Sequence, residues 1–235
     1  MGATAAIGIV CKAPQSGASK SRLAASIGAD AAAQLSSCFL RDAAVEIEAV
    51  PESLGRRGYG VYAPAGAELM LRRLLPESFG LVLQADADLG NVLFGATTEL
   101  LATPHDCVIL VNGDSPTLPV RLLVQAIDAL RQSGDRMVLG PAADGGYYLI
   151  GLKRAHRAVF SRIAWGTGSV THSTLQRARE AAIESVLLPD WYDVDDMQSY
   201  NLLRDELAGL PGRFQDGGPA AATRAVLATA PEGIR

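Results

Sequence analysis

Residues 107–112, CVILVN, carry one polar side chain, at the very end of the run. Successive side chains of a strand point to opposite faces, so a run this apolar must be covered on both sides. Six further runs have strand character: 5–11 (AAIGIVC), 58–63 (GYGVYA), 80–84 (GLVLQ), 136–140 (RMVLG), 147–152 (YYLIGL) and 185–189 (SVLLP). Between them the spacing of apolar residues predicts helices over 29–49, 66–75, 91–102, 119–133, 170–183 and 196–208, several opened by Asp, Ser or Thr. Strands alternating with helices predict an α/β fold, a three-layer sandwich around a mostly parallel central sheet.

With 235 residues, 49% hydrophobic and 20% charged, the chain is long and apolar enough for one large domain with a substantial core. No internal repeat or linker divides it, so residues 1–207 are expected to form a single domain. Residues 208–235 are rich in Gly, Pro and Ala and are expected to be a peripheral appendix. The net charge of -4 gives no uniformly basic field, which argues against a nucleic-acid partner. Cys11, Cys38 and Cys107 match neither a disulfide framework nor a zinc cluster, and reduced thiols in a cytoplasm are the expectation. The early run AAIGIV is too short to span a membrane and has no basic stretch before it. Nothing in the sequence sets an oligomeric state.

Ligands of open α/β sheets bind at the carboxyl ends of the strands, and the chemistry-bearing residues of this chain follow strands. After the first strand comes KAPQSGASKSRL, 12–23, in which Ser16, Gly17, Ala18 and Ser19 allow close backbone approach and Lys12, Lys20 and Arg22 bring positive charge. That combination suits phosphate, although its spacing is not that of a Walker A loop, and a solvated loop with surface cations has the same composition. Next comes NGDSPTLP, 112–119, where Asp114 stands at the mouth of the most apolar strand, flanked by Gly113 and Ser115. A lone carboxylate there suits a hard cation such as Mg2+, or serves as a helix cap. In YDVDD, 192–196, Asp193, Asp195 and Asp196 crowd three negative charges; Asp193 and Asp195 share a face if extended, and Asp196 is placed to cap the next helix. Gln84 and Asp88 bracket a strand-to-helix junction as ligand or cap candidates. GPAADGGYYLIGL, 140–152, has the Asp-Gly signal of a hairpin, and glycines there also leave room for a ligand. Cations for phosphates and carboxylates for a divalent ion are the equipment of phosphoryl-linked group transfer.

The blocks KAPQSGASKSRL, LQADADLG, NGDSPTLP, GPAADGGYYLIGL, WGTGSV and YDVDD stand in the order of the DUF2064 family, which this chain resembles over about residues 5–205. That family is similar to the nucleotide-diphospho-sugar transferases and more distantly to nucleotidylyltransferases of the 2-phospho-lactate guanylyltransferase and molybdenum cofactor type. The resemblance implies a GT-A (Rossmann-like) nucleotide-binding fold using Mg2+ or Mn2+. It implies phosphate contacts from the 12–22 loop, Lys12, Gly17, Lys20 and Arg22 among them, and a metal site at Asp114 completed by Asp193 or Asp195; Gln84, Asp88, Gly113, Ser115, Gly145 and Gly146 are further candidate binding residues. Asp144, Gly145 and Gly146 would form the acceptor side of the cleft, with Asp144 orienting or deprotonating an acceptor hydroxyl. Lys20 and Arg22 would stabilise a departing pyrophosphate if the reaction is nucleotidyl transfer. Three readings follow: metal-dependent glycosyl transfer from a nucleotide sugar to a small acceptor, nucleotidyl transfer from a triphosphate, or nucleotide binding without turnover. The chain has Asn91 and Val92 where the family commonly has Glu-Arg, Ala143 where Glu is frequent, and DVDDMQSY in place of a Thr-Pro-Glu-Asp run.

Overall fold

A computed structural model of the chain describes residues 4–229. Seven strands form one sheet in the order β3-β2-β1-β4-β6-β5-β7: β1 (Ala5–Lys12), β2 (Arg56–Ala63), β3 (Gly80–Leu83), β4 (Cys107–Asn112), β5 (Arg136–Pro141), β6 (Tyr147–Leu152) and β7 (Glu184–Leu187). The strands run parallel except β6, which lies antiparallel between β4 and β5. The α/β three-layer architecture expected from the alternating pattern is therefore present. Eight α-helices cover the sheet among the described residues: α1 (Ser21–Ile27), α2 (Ala29–Ala49), α3 (Glu68–Arg72), α4 (Leu89–Leu101), α5 (Val120–Arg131), α6 (Val170–Glu180), α7 (Met197–Leu207) and α8 (Ala221–Thr229). None is long and apolar enough to cross a membrane.

The strand period sorts the core into two clusters. Ile7 and Ile9 of β1 and Cys107, Ile109 and Val111 of β4 pack with Leu35, Phe39 and Ile47 of α2 and Leu122 and Ala126 of α5. Their neighbours Ala6, Val108 and Leu110 point the other way, onto Leu93, Ala96 and Leu100 of α4 and Ala178 of α6. Each fully buried aliphatic side chain contributes on the order of 2 kcal/mol. Helix α2 lays a stripe at i, i+3 and i+4 (Leu35, Phe39, Leu40, Ala43, Ile47) on the sheet and stops before Pro51.

Two helices, α1 and α8, were not foreseen in the sequence. The 12–23 stretch after β1 becomes helical at Ser21, so Arg22 sits in the first turn of α1 and not in a loop. Helix α8 packs on α2, where buried Asp42 accepts bonds from the Ala222 and Thr223 amides at 2.8 and 2.9 Å and from the Thr223 hydroxyl at 2.6 Å. One turn along α2, Glu46 accepts from the Val120 amide at 2.7 Å and so caps α5, whose own N-cap residue is Pro119. Two helix starts are thus satisfied by carboxylates of α2.

Asp42→Ala is expected to cost about 2 kcal/mol, since it removes three charge-assisted bonds from one helix start. Urea unfolding measures the loss, and limited proteolysis should show α8 released first; a variant as stable and as resistant as the parent would contradict this role.

Candidate functional site

The carboxyl ends of β1 and β4 and the segment between β7 and α7 meet at one end of the sheet, and Lys20 joins them. Lys20 precedes α1 with φ 47° and ψ 56°, a left-handed conformation that is costly for a residue with a Cβ. Its ammonium donates to Oδ1 of Asp114 at 2.5 Å and to the Val194 carbonyl at 2.7 Å, stands 3.8 Å from Oδ1 of Asp195, and lies 5.0 Å from the centre of the Phe39 ring. Only 4% of the Lys20 side chain is exposed, so these partners are what make its burial tolerable. The Val194 amide returns a bond to the Asp114 carbonyl at 2.9 Å, and Arg22, on the rim, donates to Oδ2 of Asp195 at 2.7 Å.

Two hollows adjoin this cluster. One, of about 250 Å³, is lined by Lys12, Ser19, Lys20, Gln84, Gly113 and Asp114. The other, of about 450 Å³, has Arg22, Asp144, Asp193 and Asp195 in its wall. Burial, and then the charges of Asp195, Asp144 and Asp114, push the Asp193 carboxyl up to about 7. Burial and Asp114 also raise Asp195, with Lys20 and Arg22 opposing. Asp196 behaves oppositely: it caps α7 in a capping box with Ser199, and the Ser199 amide and hydroxyl hold its carboxyl below the usual range.

The Asp-Gly stretch is a turn joining β5 to β6 and also borders this site. Gly145 has φ +90°, and a Cβ there would collide with the backbone of Gly168. The Thr171 amide donates to the Gly145 carbonyl at 3.0 Å and the Thr171 hydroxyl to that of Gly146, which locks the turn to the start of α6. Oδ1 of Asp144 accepts the Gly146 amide at 2.8 Å, leaving the carboxylate exposed but oriented.

Other residues singled out in the sequence have structural partners. Gln84 donates to the carbonyls of Cys11 and Val61 at 2.9 and 2.8 Å, tying β1 to β2. Ser115 is buried and donates to the Tyr192 carbonyl at 2.7 Å. Asp88 caps α4 by accepting the Asn91 amide at 2.9 Å. Gly17, with φ +78°, lies in the exposed loop after β1. Burial, then Asp114, pushes the Cys11 thiol up to about 12, which leaves it inert as a nucleophile. Among the described residues no three His, Cys, Asp or Glu side chains stand close enough to ligate one ion unaided. The Val194 carbonyl, an essential partner of Lys20, had no signal in the sequence, because any residue offers the same atom.

Asp193 should make stability depend on pH. Its folded carboxyl keeps its proton up to about 7, whereas the ordinary value is 3.8, so the native state binds more protons in between and loses stability as pH rises through that window. In chelator-treated protein, Asp193→Asn is therefore expected to melt higher than the parent above pH 7 and equally below pH 3.8. A difference in Tm that does not vary with pH would remove Asp193 from the carboxylate cluster.

The family model described as "Uncharacterized protein conserved in bacteria (DUF2064)" matches residues 56–167. No curated protein matches the sequence. Among solved structures, a candidate nucleotide-diphospho-sugar transferase from Desulfovibrio desulfuricans G20 is 29% identical, with TM-score 0.80 over 95% of each chain. CMP:2-keto-3-deoxy-manno-octonic acid synthetase complexed with CTP is 13% identical, with TM-score 0.56 over 86% of this chain and 97% of that one. Glucosyl-3-phosphoglycerate synthase from Mycobacterium tuberculosis, in complex with Mn2+, uridine diphosphate and glucosyl-3-phosphoglycerate, is 11% identical, with TM-score 0.54 over 90% of this chain and 82% of that one. The last two likenesses extend to the fold alone. The family match is narrower than the span of similar blocks, leaving out the 12–22 loop and YDVDD. Residues 56–167, from β2 through the DGGYYLIGL hairpin, carry the DUF2064 family match, set within a GT-A-like fold of the nucleotide-diphospho-sugar transferase type.

Proposed function

We propose that this chain is a transferase that moves a glycosyl group from a nucleoside-diphosphate sugar to a hydroxyl of a small acceptor. The observation that carries the reading is the surplus of carboxylates, Asp114, Asp144, Asp193 and Asp195, around the single buried ammonium of Lys20. Lys20 is engaged by Asp114 and the Val194 carbonyl, so its role is to position Asp114 rather than to meet a departing group. Lys12 and Arg22, both exposed, the latter while paired with Asp195, would face the diphosphate.

The acidic donor set fits a hard divalent ion. Asp114 keeps 40% of its side chain exposed and Asp195 35%, and both offer oxygen only. Since no three such side chains converge among the described residues, Mg2+ or Mn2+ held in part by Asp114, Asp193 and Asp195 would complete its shell with phosphate oxygens and water. Such an ion would neutralise the diphosphate as it leaves. In the transfer, the acceptor oxygen bonds to the anomeric carbon as that carbon's bond to the β-phosphate oxygen breaks. The hydroxyl proton passes to Asp144, and the bonding electrons depart with the nucleoside diphosphate. The basic loop after β1 favours a second reading, nucleotidyl transfer with release of pyrophosphate. Asn91 and Val92, where the family commonly has Glu-Arg, motivate a third, nucleotide binding without turnover.

Incubation with a panel of nucleotide sugars and triphosphates plus Mg2+ or Mn2+ separates the three. Free nucleoside diphosphate is expected; release of pyrophosphate in its place, or binding with no product, overturns the glycosyl reading. Asp114→Asn should abolish metal-dependent nucleotide binding in calorimetry, and unchanged affinity would exclude Asp114 from the site. Arg22→Ala should weaken a nucleoside diphosphate about tenfold and the bare nucleoside hardly at all, because the lost contact is charge-assisted. Equal losses for both would contradict a phosphate role.

A further inference from the structure

Another hollow of about 450 Å³ lies outside the carboxylate cluster, between the first turn of α4, the 3-10 turn Arg157–Phe160 and the segment through Trp165. Leu89 lines the cleft of Lys12 and Asp114, while Asp88 and Gly90 on either side of it line this hollow. The two spaces therefore share the start of α4 as a wall. At the far side, Trp165 meets Tyr147 edge-on with ring centres 6.1 Å apart, and Tyr147 directly follows the turn that carries Asp144. The hollow thus adjoins the nucleotide cleft through the start of α4 and is linked to the acceptor turn through the Trp165–Tyr147 contact, and its volume suits a small metabolite.

Two cations line it, each held in an unusual way. Arg157 donates to Oδ1 of Asn91 at 3.0 Å and lies over the Phe94 ring, 4.3 Å from its centre, so its guanidinium is held against an aromatic face. Arg162 has φ +59°, a left-handed conformation that a side chain rarely adopts, and 79% of its side chain is exposed. Its nearest anion, Glu180, is 3.8 Å away and supplies only a loose ion pair. Strain of this kind at a pocket rim is characteristic of binding sites. The carboxylate in the lining, Asp88, already accepts the Asn91 amide and side-chain nitrogen at 2.9 and 2.8 Å, so its charge is partly offset.

Building on the transferase reading above, we propose that this hollow is the acceptor subsite and selects a small hydroxylated molecule bearing a phosphate or carboxylate. Arg157 and Arg162 hold the anion, and Trp165 and Phe94 flank the carbon skeleton. Recognition by two arginines makes the anion, rather than the hydroxyls, the feature that the subsite distinguishes.

The test is a titration of the full chain with glycerol 3-phosphate, glycerate and glycerol, followed by calorimetry and by tryptophan fluorescence. Trp165 lines the hollow and the second tryptophan, Trp191, is buried, so Trp165→Phe assigns the optical signal. At least one of the two anions is expected to bind and shift the fluorescence, with glycerol silent, and the two arms show which anion is preferred. Arg157→Ala and Arg162→Gly should each weaken the bound anion at least about tenfold and leave nucleoside diphosphate affinity unchanged. Arg162→Gly also relieves the left-handed backbone, so an unchanged or higher Tm alongside the loss separates recognition from misfolding. Anion binding that survives both substitutions, glycerol binding as tightly as its phosphate, or no binding by any probe overturns the proposal. A parent chain that binds nucleoside diphosphate but neither anion overturns the subsite and leaves the transferase reading standing. Anion binding at the arginines with no nucleotide binding anywhere overturns the transferase reading and with it the acceptor role.

Discussion

The site depends on one ammonium group. Lys20 reaches the cluster from the loop after β1, meets Asp114 from the end of β4, and meets the Val194 carbonyl and Asp195 from the segment after β7. These three stretches are far apart in the chain, and four carboxylates gathered with no cation between them would repel one another. The ammonium in turn needs the carboxylates, because a buried cation without partners is far more costly than a left-handed residue. The strained turn at Lys20 and the crowding of the aspartates are two sides of one electrostatic arrangement.

The same composition yields different chemistry a residue or two apart. Asp193, Asp195 and Asp196 are nearly adjacent, yet Asp193 is raised to about 7 by burial and like charges, Asp195 is raised but tempered by Lys20 and Arg22, and Asp196 is lowered by Ser199. Position relative to the start of α7 decides this. Asp196 gains amide donors there, whereas Asp193 faces other carboxylates from a partly dry wall.

Much of the fold was legible because its signals are local. Apolar runs marked all seven strands, and six of the helices had clear periodicity. Helices α1 and α8 escaped because they lie in stretches whose Gly, Pro, Ser and Ala content reads as loop and tail, and the start of α8 is stabilised by Asp42, which lies 180 residues away from Ala222. The reversal of β6 against β5 was legible in the Asp-Gly hairpin signal of 140–152, whereas its antiparallel pairing with β4 was not, since side-chain alternation is the same in either sense. At the site, carboxylates following strands and the capping aspartates Asp88 and Asp196 could be read from position. The engagement of Gln84 and Ser115 with distant carbonyls could not, because backbone acceptors leave no trace in residue identity. Arg157 and Arg162 stood in an unremarkable polar stretch, and only the folded chain brings them to the first turn of α4.

The close seating of Gly145 on Gly168, together with the two bonds from Thr171, makes the β5–β6 turn and the entrance to α6 a single mechanical piece. Trp165 leads into that piece and Asp144 projects from it. The indole and the carboxylate thus stand on either side of one tightly seated stretch of backbone, reached from Trp165 through Gly166, whose φ is +76°.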